Sequence, residues 1–513
     1  MKLWQIEGVR VILGPLARDI MNWDILKKAI QSERSSGSVD LKVEGVAYDS
    51  RQVRPGYLFV AIPGSRHDGT EFIEEAIARG AVAVVSESQP YSTRRIPFVQ
   101  VPDAREALSR ISGVYYGHPS RRMDLIGITG TNGKTSTSFM VKEILKRAGK
   151  KPGLIGTVRY EIGERSIPAC RTTPEAPDLH AMLDQMLKAG CRSAVMEVSS
   201  HALHQKRVAD LEFDAGIFTN LTHDHLEYHE GMEKYFAAKS LLFEGLGKGQ
   251  KKSVAVINVD DIKGKELAAR SDLNATIITY GTSDDAVVRA TDIHLSSSGS
   301  EFGIISPWGS GKVCLQLHGR YNISNALAAM TACGSMGVEL PLMVEALRDI
   351  DVIEGRMEPV KNDLGFQVFV DYAHTDDALK NVLEMVRETT EGRVLLVFGC
   401  GGNRDRIKRP RMGCIASLYA DHSYITSDNP RQEDPEIIIS EIVKGFKGRG
   451  NHTVIEDRKS AIATALGEAG KGDTVLIAGK GHENYQEFSD TVIPFDDVEV
   501  AGRFLKEMQQ GRS

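Results

Sequence analysis

The stretch LIGITGTNGKTSTSFMVKEILKRAG, residues 125–149, decides how the chain is read. Leu125 to Thr129 are apolar enough for a buried strand, Gly130 to Gly133 form a glycine-bearing turn, and a helix is expected from about Lys134. Val141, Ile144, Leu145 and Ala148 recur at helical spacing. Lys146 and Arg147 suit the negative end of the helix dipole, and Gly149 supplies a stop. A glycine turn feeding a helix N-terminus aims backbone N–H groups at an anion, and Lys134 adds a mobile positive charge. Thr135 can offer its hydroxyl to Mg²⁺. The spacing departs from G-x-x-x-x-G-K-[ST], because Ile128 stands where that pattern has its first glycine. Strand, turn, GKT and helix together point to a bound nucleotide rather than a bare turn.

Outward from this unit, short apolar runs alternate with amphipathic stretches: AVAVV (81–85), SAVMEV (193–198), VAVINV (254–259), VFVDYA (368–373), VLLVFG (394–399) and TVLIAG (474–479). Runs apolar on both faces are what a parallel sheet covered by helices requires, so the fold class is α/β. At 513 residues the chain exceeds one core. Breaks at YYGHPSRRMD (115–124) and RDIDVIEGRMEP (348–359) divide it into three expected domains, 1–121, 122–350 and 351–513. Residues 262–316 are polar and irregular, which suggests peripheral strands and loops.

A net charge of -6 argues against a general nucleic-acid or anionic-membrane binder, while leaving room for a local phosphate pocket. Six cysteines without a CxxC pair suggest reduced thiols. Glu7, Arg10 and Arg18 interrupt the N-terminal apolar run, and no stretch of about 18 apolar residues occurs that would span a membrane. The expectation is a cytoplasmic protein without membrane insertion, read as a monomer.

GITGTNGKT at this spacing resembles the Mur ligases, which build the peptide stem of the bacterial cell wall. Further motifs follow in that family's order, from about residue 46 to 485: YDSR (48–51), LFVAIPG (58–64), TTPE (172–175), EVSSHAL (197–203) and NLTHDHLEYH (220–229). After them come AAKSLLF (237–243), GRYNISNALAA (319–329), GRME (355–358), DYAH (371–374) and GKGHE (479–483). The resemblance implies a UDP-substrate-binding α/β domain, a central P-loop ATPase-like domain with a mostly parallel sheet, and a Rossmann-like C-terminal domain. It also implies an ATP- and Mg²⁺-dependent amide ligase that phosphorylates a carboxylate and lets an amine displace phosphate. Such chemistry rests on positioning and electrostatics.

By that resemblance Gly130, Thr131, Asn132, Gly133, Lys134 and Thr135 bind ATP, with Asn325 and Arg356 approaching it. Thr135 and Glu197 bind one Mg²⁺, and Glu197 follows an apolar run, as a strand-end ligand in a doubly wound fold does. His225 binds the other, helped by Lys239 as a carbamate (N6-carboxylysine); Lys134, Lys239, Glu197 and His225 are the expected catalytic residues. From the residues alone, a lysine like Lys239 on an apolar helix face is usually a snorkelling surface residue. His225 and His229, four apart, raise a zinc alternative, but no HExxH pattern and no nearby cysteine supports it. Tyr48, Ser50 and His67 match the uridine-diphosphate pocket, and Thr172, Thr173, Ser199, Gln205 and Arg207 match the holders of the substrate's peptide end. Arg171 stands before TTPE where relatives often have Asn.

DNPR (428–431) resembles the signature of members that add meso-diaminopimelate. That amino acid is lysine with an extra terminal carboxylate, and a guanidinium grips such a group bidentately. Arg431 is expected to read it, a lysine substrate leaving the arginine unpaired, while Asp428 and Asn429 take the distal ammonium. Pro430, Arg404, Gly479 and Glu483 complete the pocket by resemblance. The alternative for Arg431 is a surface ion pair with Glu433 or Asp434. The expected partners are therefore ATP, UDP-N-acetylmuramoyl-L-alanyl-D-glutamate and meso-diaminopimelate. The alternatives are ligation of L-lysine or another diamino acid, and a nucleotide-binding regulator without chemistry.

Overall fold

The computed structural model describes residues 20–31, 34–36, 41–64, 67–88, 96–224, 226–296 and 299–511. Its described residues build three large sheets, of 5, 11 and 6 strands. In each, alternate residues of one strand enter different cores. Leu58 and Val60 pack on one side of the first sheet, and Phe59 and Ala61 on the other. Ile126 and Ile128 lie on one side of the second sheet with Leu125 opposite, and Leu395 and Val397 oppose Leu396 and Phe398 in the third. Side chains alternate with period two, so a strand buried on both faces must read as an uninterrupted apolar run.

The first sheet runs Arg34–Ser36, Phe98–Gln100, Ala81–Ser86, Tyr57–Ala61, Gly45–Ala47, and is parallel except at Arg34–Ser36. The 11-stranded sheet has a parallel centre, in which Asp124–Thr129 lies between Ser193–Glu197 and Ala215–Phe218. Its registers, Glu197 opposite Ile128 and Phe218 opposite Thr129, bring three strand ends to the edge where the phosphate loop starts. The polar segment 262–316 supplies strands, as expected, and also the helix Ile262–Ala268. Val288–Ser296, Gly299–Ser306 and Gly309–Leu315 extend the sheet antiparallel to one another, and their partial solvent exposure explains their polar sequence.

The third sheet places Gln367–Asp371, Thr474–Ala478, Val394–Phe398 and His422–Ile425 side by side and parallel. DYAH, GKGHE, GCGGNR and DNPR therefore leave one carboxyl edge together, the edge at which open α/β sheets hold ligands.

Candidate active site

Helix Lys134–Arg147 begins after Gly133, whose φ is 85°, and the loop turns at Gly130, whose φ is 150°. A Cβ on Gly130 would lie 1.8 Å from Thr219 Oγ1, and one on Gly133 would lie 2.4 Å from Asn325 Oδ1, so only glycine fits either place. Asn220 braces the loop, accepting from Thr131 N at 2.9 Å through its carbonyl and from Asn132 N at 2.9 Å through its side chain. The first-turn N–H groups of the helix have no intrahelical partner, and Gly133, Lys134, Thr135 and Ser136 line the cleft in front of them. Gly130 O, behind the loop, accepts from Lys134 Nζ at 2.9 Å and from Lys239 Nζ at 2.7 Å. Burial pulls the Lys134 amine below its ordinary value, against the attraction of Glu197 and Asp224. Lys239 falls much further through burial and the facing Lys134 charge.

Glu197, at the end of its strand, is 1% exposed. Its carboxylate accepts from Thr157 N at 2.9 Å, from Thr157 Oγ1 at 2.9 Å and from Thr135 Oγ1 at 3.1 Å. A hydroxyl and a carboxylate side by side are the hard oxygen donors that Mg²⁺ takes, so this pair fits the ion the fold implies. Lys239 fits only as a carbamate, because an ammonium repels a cation. His225 lies outside the described residues. His229, second ligand of the zinc alternative, is buried with Nε2 2.9 Å from Ser200 Oγ.

Thr173 Oγ1 donates to Glu197 O at 2.8 Å and accepts from Ser199 N at 3.0 Å, which ties TTPE to the metal-site strand. Arg207 donates to Thr173 O at 2.7 Å and to Gln205 Oε1 at 2.6 Å, so Gln205 supports Arg207 from outside the cleft. Arg171 and Arg207 share the buried Glu175. Thr172, Thr173, Ser199 and Arg207 line the cleft. Tyr48, Ser50 and His67 do not: Tyr48 OH donates to Asp178, Ser50 Oγ donates to Glu75, and His67 stands exposed beside Glu71.

In the third domain, Asn429 Nδ2 donates to Glu483 Oε2 at 2.7 Å. The wholly buried Lys480 donates to Asn429 Oδ1 at 3.1 Å and Glu483 Oε2 at 3.3 Å, with Asp428 Oδ1 at 4.0 Å. Burial raises the Glu483 carboxyl. At Asp428 burial also acts upward, but Lys480, Arg458 and Arg431 outweigh it and hold the carboxyl low. Arg458, buried in turn, forks onto Asp497 at 2.8 and 2.7 Å and donates to Ala478 O at 3.0 Å, fixing the start of GKGHE from behind. Arg431 corrects one expectation. Its own chain already pairs it, Nε donating to Glu487 Oε2 at 3.0 Å and Nη1 to Gly402 O at 2.9 Å. Neither Glu433 nor Asp434 holds it, since Glu433 binds Arg409 and Asp434 caps the helix Pro435–Val443. Pro430 shapes the turn from outside the cleft.

The phosphate loop, the TTPE pocket and the DNPR–GKGHE pocket open into one cleft of about 670 Å³. Arg356 crosses it from the third domain, stacking on Tyr372 with 4.7 Å to the ring centroid and donating to Thr135 Oγ1 at 3.0 Å.

The Mur ligase family, catalytic domain, matches residues 42–116, the Mur ligase middle domain residues 128–333, and the Mur ligase glutamate ligase domain residues 355–481. The chain belongs to the Mur ligase family. This Mur ligase is 43% identical over 488 residues to the UDP-N-acetylmuramoyl-L-alanyl-D-glutamate--2,6-diaminopimelate ligase of Caldanaerobacter subterraneus subsp. tengcongensis, covering 95% of this chain and 99% of that one. It is 46% identical over 466 residues to the ligase of the same name from Geobacillus thermodenitrificans, covering 90% and 94%. A solved structure of a ligase so named matches with a TM-score of 0.68 at 32% identity, over 96% of this chain and all of that one. A MurF ligase from Thermotoga maritima in complex with ADP shares the fold, with a TM-score of 0.61 at 17% identity, over 91% and 98%.

Within this Mur ligase, sequence reading missed Thr157, Lys480, Gln486 and Glu487. Lys480 sits inside GKGHE and could have been found there. Thr157, in the turn between the strands Pro152–Ile155 and Arg159–Ile162, and the 486–487 pair lie outside the motifs, and only long-range contacts bring them to the site.

Proposed function

We propose that this Mur ligase uses ATP to join meso-diaminopimelate to the D-glutamyl carboxylate of UDP-N-acetylmuramoyl-L-alanyl-D-glutamate, a step of peptidoglycan precursor synthesis in the cytoplasm. We read it as a monomer with domain boundaries near residues 121 and 351. The observation that carries this reading is the single cleft shared by phosphate loop, TTPE pocket and DNPR–GKGHE pocket. Relatives 43% and 46% identical carry the corresponding name.

The loop amides and Lys134 cradle the nucleotide phosphates, and Arg356 meets them from the other domain. Thr173, Ser199 and Arg207 hold the peptide end so that its carboxylate reaches the γ-phosphoryl group. The amine of diaminopimelate, held by the third domain, then displaces phosphate from the acyl phosphate. Mg²⁺, when bound, neutralises charge on the transferred phosphoryl group. Thr135 and Glu197 would hold one ion, His225 and Lys239 the other. Burial lowers the proton affinity of the Lys239 amine and so favours the neutral form that attacks CO₂; an N–C bond forms, a proton leaves, and the amine becomes a carboxylate-like ligand.

The test is ADP release by pure protein. It should require both the UDP-dipeptide and an amine, with diaminopimelate preferred over lysine and the preference weakened in Arg431→Asn. Turnover without either acceptor would refute the ligase reading. A second reading, ligation of L-lysine, draws support from the Arg431–Glu487 pair, because a lysine substrate does not leave this guanidinium unpaired.

A further inference from the structure

The strand Tyr485–Phe488, which follows GKGHE, grips the DNPR turn along its length. Gln486 Nε2 donates to Asp428 O at 3.0 Å, Glu487 N donates to Asn429 Oδ1 at 3.0 Å, and Arg431 N donates to Glu487 O at 2.9 Å. Arg431 itself has a φ of 54°, a left-handed conformation that a non-glycine residue adopts only when its surroundings hold it there. Its side chain is anchored in the same way, by the Glu487 carboxylate on Nε and the Gly402 carbonyl on Nη1. The edge left to a ligand is therefore the Nη1–Nη2 end of the fork, a geometry that receives a carboxylate with two parallel bonds.

This anchoring matters because of what else the cleft contains. Asp428 and Glu483, the acids available to an incoming ammonium, line the same cleft, and Asp428 feels the Arg431 charge. A guanidinium on an unanchored side chain would fold onto those acids, and each would cancel the other. Here the poles are kept apart: Glu487 holds the positive one, while Lys480 and Asn429 hold the negative one. A receptor for a zwitterion needs that separation before its ligand arrives.

We propose that Glu487 is a positioning residue for amino-acid selection, which holds the Arg431 fork open toward the distal carboxylate of the incoming diamino acid. This inference rests on the ligase reading above. Glu487 touches no substrate and acts only through Arg431.

The experiment compares the parent with Glu487→Ala and Glu487→Gln by ADP release, varying diaminopimelate, L-lysine and ATP in turn. Glu487→Ala should raise the KM for diaminopimelate about five- to tenfold, with kcat and the KM for ATP within about twofold of the parent. The ratio of kcat/KM for diaminopimelate to that for lysine should fall by the same factor. Glu487→Gln, which still offers an oxygen to Nε, should stay within about twofold throughout. Should the alanine variant not fold, Glu487→Thr suits a strand and is too short to reach Nε, and the same outcomes apply to it. An unchanged or lowered KM for diaminopimelate in the truncated variant overturns the inference alone, provided the parent uses this substrate. A parent indifferent to diaminopimelate overturns both the inference and the functional reading.

Discussion

At Lys239 an amine is buried to 1% exposure over the ring of Tyr235, 4.4 Å from its centroid, with Lys134 facing it. Its proton affinity in the folded protein lies well below the ordinary 10.5, so between those values the unfolded chain binds a proton that the folded chain releases. With Lys239 as the free amine, in CO₂-free buffer, stability therefore rises with pH across that window, and at neutral pH the group costs stability. Lys239→Met removes the cost, and Gly130 O keeps its bond from Lys134. The variant should melt no lower than the parent and show a flatter dependence of Tm on pH, while ADP release falls by about 10²-fold or more. A melting series from pH 6 to 9 beside an activity assay checks both (about three units suffice). Single residues were legible in the sequence only where a motif carried them. Arg431 could be singled out because prolines and acids flank it, but its partner Glu487 lies 56 positions on, and no local pattern announces the pairing.

Elements were more legible than contacts. Every apolar run quoted from the sequence is a strand, because burial on both faces leaves a signature that needs no partner to be recognised. The phosphate loop was equally plain, and its glycines act through steric room. Gly133→Ala sets a methyl group against Asn325 Oδ1 at a φ of 85°, displacing either the loop or the asparagine. Nucleotide affinity should drop by about tenfold or more in a fluorescent-nucleotide titration, with a modest loss of Tm. What escaped were elements whose sequence is weak. The helix Ile262–Ala268 and the hairpin of Tyr485–Phe488 with Thr491–Pro494 are short and partly exposed, so neither carries the continuous apolar run of a strand buried on both faces.

On the scale of the whole molecule, the third domain meets the phosphate loop through few contacts. Arg356 reaches Thr135, and Asp377 Oδ2 accepts from Asn132 Nδ2 at 2.7 Å. Arg356→Ala cuts the first. The KM for ATP should rise about tenfold, while the KM for diaminopimelate, which we propose the DNPR–GKGHE pocket holds, changes little; initial rates with each substrate varied separately check this. That the third domain would approach the phosphate loop was readable from Arg356 in GRME; that Asp377 meets Asn132 there was not, since domain placement leaves no local trace. One long-range tie reaches further. Asp497, at the start of the helix Asp497–Gln510, neutralises Arg458, and Arg458 seats the carbonyl of Ala478 just before GKGHE. Asp497→Ala would leave the Arg458 guanidinium buried without its carboxylate, a burden of about 3–5 kcal/mol. The footing of GKGHE therefore depends on a carboxylate that lines no part of the cleft, and damage at the start of the helix Asp497–Gln510 is felt at Ala478.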